Sequence, residues 1–307
     1  GMLTLRDLAA LAAAHPEGLE AAVEPLRIGD RVFDSSARPV VMGCVNLSRD
    51  STYRESIATS TESALRKARV MAAQGADLVD IGAESSTARA ERVSASTQVA
   101  ALVPIIERLT DEGIAVSAET YDPAVVRACL KAGADVLNLT GTADHEEIFD
   151  IAAEHEATVV LCYVGGANVR EITDVTVDDD PIPGLLEHFA ARIELARAHG
   201  VERLVIDPGM GFYYGNLTDP AVRARHQASV LLNSFRLRTL GLPICNAMPH
   251  AFDLFEDQFR TAEGFFAVLG ALGGTTVFRT HEVAHVRTVL DAMHSLDARP
   301  APDLEAS

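Results

Sequence analysis

Residues 204–212 read LVIDPGMGF, and this stretch decides the fold class. A short apolar run ends in the carboxylate of Asp207, and a proline and two glycines follow it. An uninterrupted run of branched aliphatic residues is typical of a strand buried on both faces of a parallel sheet. Proline removes a donor and glycine lets the backbone approach a bound molecule closely, so the loop after this strand suits a ligand site. Taken alone, Asp207 is equally compatible with a capped strand-to-loop turn.

Strand candidates of the same kind alternate with helical patterns from about residue 39 onward. The predicted strands are residues 39–45, 78–81, 114–118, 136–139, 158–162, 204–206, 242–245 and 275–278. Amphipathic stretches such as residues 61–73, 97–109 and 185–199 lie between them. This repetition predicts a single α/β domain with the (β/α)8 TIM-barrel fold. No G-x-G-x-x-G follows the first strand, which weakens the alternative of an open dinucleotide-binding sheet.

The chain is expected to form one domain with a small N-terminal addition. Residues 1–38 contain a predicted helix over residues 5–14 and a hairpin over residues 28–33, which together should cap the closed end of the barrel. Residues 39–295 form the predicted barrel, and residues 296–307 form a flexible tail. We find no stretch with the composition of a linker between two domains.

The composition of the chain limits the classes of partner it can bind and the compartment in which we expect it. The 307 residues carry a formal net charge of -18, which argues against nucleic acid or an anionic membrane as the main partner. No apolar run is long enough to span a membrane and no export signal is evident, so we expect a cytoplasmic protein. The four cysteines are far apart and form no C-x-x-C pair, which favours buried, reduced thiols.

Polar side chains stand where the predicted strands end. Active sites of barrels lie at the carboxyl ends of the strands, so these side chains should meet in one mouth. They are Asn46, Asp80, Glu119, Asn138, Asp207, Asn246, Arg279 and His281. Acceptors and amides with cations at one side suit a flat heterocycle with several N–H donors and an attached anionic group. Two alternatives stay open: Asp80 holds the loop that follows it, and Arg279 only neutralises nearby acids.

Five motifs at these strand ends resemble those of one family, dihydropteroate synthase and its pterin-binding relatives. In chain order they are VMGCVNLSRDS at residues 41–51, DIGAESS at 80–86, LNLTG at 137–141, DPGMGF at 207–212 and RTHEV at 279–283. Each motif is weak alone, whereas five in order at strand ends are specific. The resemblance extends from about residue 28 to about residue 290.

The resemblance implies roles on the side of the site that holds the pterin ring. Asp207 would accept hydrogen bonds from the ring N3–H and the exocyclic amine of a dihydropterin substrate. Asn138 and Glu119 would contact other edges of the ring. Ser86 and Phe212, which lie in two of the motifs, are assigned further substrate contacts.

The resemblance also implies how the family reaction would proceed. That reaction joins 6-hydroxymethyl-dihydropterin diphosphate to p-aminobenzoate and releases diphosphate. Asn46 would help to hold the diphosphate and its Mg²⁺ ion, and Arg279 and His281 would be cationic partners of this leaving group. Asp50 lies in the loop that the family closes over the reacting centre. Family members often pair through their late helices, which makes a homodimer the expected assembly.

Several residues depart from the family pattern. Glu119 replaces an aspartate, and residues 245–252 read CNAMPHAF where the family carries S-R-K-[ST] after strand seven. His250 lies nearest the position of the missing lysine and is expected to contact substrate. Corrinoid–folate methyltransferases share the barrel and use an asparagine after strand seven, a part that Asn246 could play. The open alternatives to a synthase are therefore a methyltransferase of that type and a protein that binds a pterin without turnover.

Overall fold

A computed structural model describes residues 1–34, 38–47, 61–83, 94–141, 144–164, 180–209 and 219–296 of the chain. It confirms the predicted barrel: eight parallel strands form one sheet in the order β8-β7-β6-β5-β4-β3-β10-β9. A parallel bridge between Ile206 and Ile244 joins the two outer strands of this order. The sheet is thereby closed into a barrel, and the helices lie around it.

The strands of the barrel are short, as expected for this fold. They are β3 (Val40–Asn46), β4 (Leu78–Gly82), β5 (Val116–Thr120), β6 (Val136–Leu139), β7 (Thr158–Cys162), β8 (Arg203–Asp207), β9 (Cys245–Ala247) and β10 (Val277–Thr280). Several begin and end about two residues later than the apolar runs predicted, as at β5 and β10. The ladder hydrogen bonds continue through the polar residues at the mouth, whereas the preceding apolar residues pack in the turns that enter the strands.

Helices cover the outside of the barrel. Those that follow strands are α3 (Thr61–Ala73), α4 (Ala95–Asp111), α5 (Pro123–Lys131), α6 (His145–Glu154), α7 (Ile182–Ala198), α8 (Pro220–Asn233), α9 (Phe252–Phe255), α10 (Phe259–Leu272) and α11 (Val283–Ser295). A 3₁₀ helix, Ser234–Leu240, extends α8. Two helices start with an aspartate cap followed by proline: the Asp122 and Asp219 side chains accept the first free N–H groups of α5 and α8. No helix among the described residues is long and apolar enough to cross a membrane.

The N-terminal residues form the predicted helix and hairpin. Helix α1 (Leu5–Ala14) and the short α2 (Pro16–Glu20) precede strands β1 (Leu26–Ile28) and β2 (Arg31–Phe33), which pair antiparallel across a two-residue turn. Leu26 and Ile28 are buried in the same apolar cluster as the lower interior side chains of the barrel. The hairpin therefore fills the amino-terminal end of the barrel, opposite the carboxyl ends of the strands.

Two apolar layers stabilise the barrel and fix which residues face inward. Side chains alternate along each strand, so Val79 and Ile81 face the helices whereas Leu78 and Asp80 face the barrel axis. The lower part of the interior is apolar, with Met42, Leu78, Val136 and Val205 among its members. The upper part is polar, and this change of character along the axis defines the candidate site.

Candidate active site

The polar layer of the barrel follows from the two-residue repeat of its strands. Asp80, Asn138, Asp207 and Arg279 each lie two residues after an apolar interior side chain on the same strand. On β5 the outward-facing Val116 and Ala118 place Ser117 and Glu119 inside. The register pairs Glu119 with Asn138 on the neighbouring strand. Residues that are distant in the chain are thus brought to one level of the mouth.

Asp80 is the centre of a hydrogen-bond network in this layer. It is 1% exposed. One carboxylate oxygen accepts from the Ser117 hydroxyl at 2.7 Å, and the other accepts from Asn138 Nδ2 at 3.2 Å and from Arg279 Nε at 2.9 Å. Arg279 Nη2 donates to Glu119 Oε2 at 2.9 Å. Because a buried carboxylate requires such donors, Asp80 acts as a structural anchor that orients Arg279 and Asn138.

Asp207 is held by donors from two directions. Gly209 has a φ angle of 87°, a region that only glycine enters without strain, and its N–H turns back to Asp207 Oδ1 at 2.8 Å. The thiol of Cys245 on β9 donates to the same carboxylate. On the adjacent β7, the Cys162 thiol donates to Asn138 Oδ1 at 3.1 Å. The nitrogen and the oxygen of the Asn138 side-chain amide are therefore both hydrogen-bonded, which fixes the orientation of this side chain.

Burial raises the pKa values of Glu119 and Asp207, two acids at the mouth. The pKa of Glu119 is raised to about 7, because burial opposes the charged form more strongly than Arg279 favours it. Burial likewise raises the pKa of Asp207 to about 6, although the Gly209 N–H lowers it in part. At neutral pH Asp207 is therefore mainly an acceptor, whereas the raised pKa of Glu119 favours its protonated form, which can also donate.

Two imidazoles lie beside Arg279. The ring centroids of His250 and His281 are 5.7 Å apart, and the ring of Phe252 is 4.9 Å from His250. Burial, together with Arg223, lowers the pKa of His250 to about 4. Burial and Arg279 lower the pKa of His281 well below its usual value. Both rings are neutral at pH 7, so the positive charge of this corner comes from Arg279, with Lys67 and Arg223 also close enough to act on the two rings.

The structure brings most of the predicted site residues together. Asn46, Glu119, Asn138, Asp207, Arg279 and His281 lie at the carboxyl ends of their strands or directly after them, and His250 packs against His281. Asn246 lies elsewhere: its Nδ2 donates to the hydroxyls of Ser234 and Thr275 at 3.1 and 2.8 Å, between β9 and the helix layer. Asp50, Ser86 and Phe212 lie outside the described residues.

Three residues contribute to the site in ways that the sequence does not predict. The sequence leaves open whether Asp80 joins the other side chains in the mouth or holds the loop that follows it, and its partners in the structure are Ser117, Asn138 and Arg279. Cys162 and Cys245 were interpreted only as buried, reduced thiols; they are buried and free, and they also donate within the site. The two-residue repeat was the signal available for all three, because each follows an interior position by two residues or belongs to the interior cluster itself.

No three acidic, cysteine or histidine side chains of the described residues converge as a metal site. The donors at this mouth fit a different arrangement. Asn46 is half-buried at the end of β3, the strand that pairs with β10 and its Arg279, and carries one amide oxygen. One protein oxygen plus substrate phosphates and water is a usual environment for Mg²⁺, so the residues present fit an ion that arrives with a diphosphate.

Comparison with known proteins agrees with this geometry. Residues 42–281 match the family model described as pterin binding enzyme. The dihydropteroate synthase of Synechocystis sp. is 31% identical, over 88% of this chain and 95% of that protein. The solved structure of Xanthomonas albilineans dihydropteroate synthase with 4-aminobenzoic acid superposes with a TM-score of 0.75 at 28% identity, covering 91% of this chain and all of that one. The same enzyme in complex with 7,8-dihydropteroate gives a TM-score of 0.70 at 26% identity, covering 90% and 99% of the two chains. The chain belongs to the family of pterin binding enzymes.

Proposed function

We propose that this protein is a transferase of the dihydropteroate synthase type. It would join 6-hydroxymethyl-dihydropterin diphosphate to p-aminobenzoate and release diphosphate. The observation that carries the proposal is the buried layer that holds Asp207, Asn138 and Arg279 at one level of the mouth, where Asn138 and Arg279 donate to the same oxygen of Asp80. Such a layer offers fixed polar groups for a flat ring and, beside them, a cation for a leaving group.

Asp207 and Asn138 are suited to bind the pterin ring. The carboxylate of Asp207 is ionised at neutral pH and already oriented by the Gly209 N–H and the Cys245 thiol. Two parallel N–H groups of a pterin, at N3 and at the exocyclic amine, match one carboxylate. Glu119, with its pKa near 7, would supply a further contact that works as donor or acceptor.

Arg279 and its neighbours are suited to bind the diphosphate. Arg279 is held by Asp80 and Glu119, so its guanidinium is oriented before substrate arrives. His281 and His250 lie beside it as neutral donors that a nearby dianion would favour in the protonated form. Asn46 would be a ligand of Mg²⁺, which would stabilise the negative charge on the departing diphosphate.

The proposed reaction needs charge stabilisation more than acid–base catalysis. The amine nitrogen of p-aminobenzoate would form a bond to the methylene carbon of the pterin as the bond from that carbon to the diphosphate oxygen breaks. The electron pair leaves with the diphosphate, and the amine loses a proton to solvent. Asp50, Ser86 and Phe212 stay predictions for the walls of this site, because they lie outside the described residues.

Fewer of the described residues support binding of p-aminobenzoate than support binding of the pterin. In the stretch that replaces S-R-K-[ST], His250 is the predicted substrate contact that lies beside the Arg279 corner, where its ring packs against Phe252 and His281. The solved relative in complex with 4-aminobenzoic acid supports p-aminobenzoate as the acceptor. The methyltransferase alternative relied on Asn246, whose amide is bonded to Ser234 and Thr275 on the side of the helix layer. No observation in the structure favours that alternative.

Calorimetric titrations with single ligands test the two halves of the site separately. A dihydropterin and its diphosphate should both bind, the diphosphate more tightly because it adds the contacts to Arg279. p-Aminobenzoate should bind only after magnesium diphosphate or the pterin diphosphate is present. If no dihydropterin binding is detected at millimolar ligand concentration, the proposed function is contradicted.

A further inference from the structure

Glu263 is a buried acid that the proposed reaction does not use. It lies on α10 and is 1% exposed. Its neighbours along the buried stripe of that helix are apolar, with Phe266, Ala267 and Gly270 one turn or two further on. A carboxyl group in such a place costs free energy unless its oxygens accept hydrogen bonds, so its partners indicate its purpose.

Both hydrogen bonds recorded for Glu263 reach the turn after β10. Its Oε1 accepts from the Thr280 hydroxyl at 2.9 Å and from the His281 N–H at 3.0 Å. Thr280 Oγ1 in turn accepts the Glu282 N–H at 2.9 Å. One carboxyl oxygen on a helix thereby fixes three consecutive residues, and these follow directly on Arg279. The turn carries His281 and follows directly on Arg279, the residue of β10 that lies at the mouth.

Glu263 is uncharged at neutral pH. Burial raises its pKa to about 8, although the hydrogen bonds from His281 and Thr280 lower it in part. The charged or titratable groups that face it are Glu282, Arg279 and His281 from the β10–α11 segment, and Cys44 from β3. A neutral carboxyl holds the turn without placing a negative charge behind the corner that would receive an anion.

We propose that Glu263 is a positioning residue that holds the turn of Thr280, His281 and Glu282 in the orientation that receives a diphosphate. The inference rests on the proposed function in that the diphosphate belongs to the pterin substrate. It adds a residue outside the mouth, one helix layer away, that acts on the anion through His281 and Arg279. Asp207 and Asn138, which would hold the pterin ring, are bonded to Gly209, Cys245, Asp80 and Cys162 and not to this turn, so dihydropterin binding should not depend on Glu263.

Two variants separate the role of the acceptor oxygen from that of the charge. Glu263→Ala removes the acceptor, whereas Glu263→Gln keeps the shape of the protonated acid and an Oε1 that accepts both bonds. Glu107→Ala, on the exposed face of α4, is the matched control. The probes are magnesium diphosphate alone and a dihydropterin without diphosphate, each titrated by calorimetry into the full-length protein.

We expect loss of the Glu263 carboxyl group to weaken binding of diphosphate and not of dihydropterin. Glu263→Ala should weaken magnesium diphosphate binding about tenfold, the effect of losing a pair of hydrogen bonds, and leave dihydropterin binding within about twofold. Glu263→Gln should restore diphosphate affinity to within about twofold of the unmodified protein. Above pH 8 the unmodified protein should lose diphosphate affinity relative to Glu263→Gln, because only Glu263 then acquires a charge.

Other results overturn the inference. Unchanged diphosphate affinity in Glu263→Ala, equal loss of both ligands, or no restoration by Glu263→Gln would each do so, as would an unmodified protein that fails to bind diphosphate. If Glu263→Ala does not fold, the ratio of affinities between the unmodified protein and Glu263→Gln across pH 7 to 9 decides alone. Failure of the dihydropterin titration contradicts the proposed function instead, since the diphosphate titration uses no pterin.

Discussion

Asp207 shows how one residue combines a structural cost with a binding role. It ends β8 among buried side chains, and burial raises its pKa to about 6. Two donors, the Gly209 N–H and the Cys245 thiol, offset that cost without using all of its acceptor capacity. The remaining capacity is what a ring with two adjacent N–H groups would satisfy.

We expect Asp207→Asn to weaken dihydropterin binding strongly while the barrel stays folded. An amide presents one acceptor and one donor, so one of the two ring N–H groups would face an N–H group. Loss of a hydrogen bond to a charged acceptor costs about 1.5–3 kcal/mol, which corresponds to roughly 10- to 150-fold in affinity. Calorimetry would measure this, with the exposed Asp111→Asn as control. Equal affinity of the two variants would show that Asp207 does not hold the ring.

For single residues, the sequence predicted which ones lie at strand ends better than it predicted which face of the strand each side chain takes. Asp207, Asn138 and Glu119 end apolar runs and point inward, as expected. Asn246 also follows an apolar run, but β9 starts at Cys245, so the two-residue repeat turns Asn246 toward the helices. The face that a side chain takes depends on the residue at which its strand begins to pair. The apolar pattern of residues 242–245 does not show that β9 begins at Cys245.

At the scale of elements, Asn246 connects β9 to its surroundings. It has no exposed surface, and its amide donates to Ser234 of the 3₁₀ helix after α8 and to Thr275 just before β10. A buried side chain that satisfies two hydroxyls from different elements contributes to their alignment.

Asn246→Ala should therefore lower stability and leave ligand binding unchanged. The lost hydrogen bonds and the cavity predict a decrease of about 1–3 kcal/mol in the free energy of unfolding. Urea denaturation measures the decrease, and calorimetry with a dihydropterin measures the affinity. Weaker pterin binding at unchanged stability would reverse our assignment and favour the methyltransferase alternative.

The sequence predicted the elements of the barrel well because each has its own periodicity. Residues 136–139 and 158–162 match β6 and β7 without any shift. The hydrogen bonds between elements are harder to predict from the sequence. Glu263 precedes Thr280 by 17 residues, and only the packing of α10 on β10 makes them partners. Helical spacing places Glu263 on the buried stripe of α10, which was the available sign that the residue has a structural task.

At the scale of the whole molecule, buried acids set the pH dependence of stability. The pKa values of Glu263 and Glu119 are raised from 4.5 to about 8 and about 7. The native state thus keeps protons that the unfolded chain releases near pH 4.5. Their contribution is fully present below that pH and is lost as the pH rises through 7 and 8. The buried histidines, whose pKa values are lowered from 6.5, oppose this trend up to about pH 7.5, because their unfolded forms still bind protons there while the native forms do not.

Relative to Glu263→Gln, we expect the free energy of unfolding of the unmodified protein to fall by roughly 2 kcal/mol between pH 6.5 and 8.5, since each pKa unit corresponds to about 1.4 kcal/mol. The comparison isolates Glu263, because the histidines and Glu119 titrate alike in both proteins. Denaturant titrations at three pH values measure both slopes. Equal slopes in the two proteins would contradict the assignment of Glu263 as a neutral buried acid.

Exposed apolar side chains on the late helices support the proposal of a homodimer. Phe265 and Leu272 of α10 are 47% and 51% exposed, and Leu254 of α9 is 56% exposed. Apolar side chains grouped on neighbouring elements favour a protein contact. We expect light scattering after gel filtration to give twice the mass of one chain, and Phe265→Asp to halve it. Val32→Asp, at the hairpin on the opposite end of the barrel, is the control. A monomer in the unmodified protein would end this proposal.

Release of diphosphate from 6-hydroxymethyl-dihydropterin diphosphate at high protein concentration tests synthase activity directly. We expect release that requires both p-aminobenzoate and Mg²⁺, that yields dihydropteroate in equal amount, and that Asp207→Asn and Arg279→Ala each reduce at least about tenfold. Release at the background rate with all components present, under conditions where the dihydropterin binds, would contradict synthase activity. The protein would then be one that binds a pterin without this transfer.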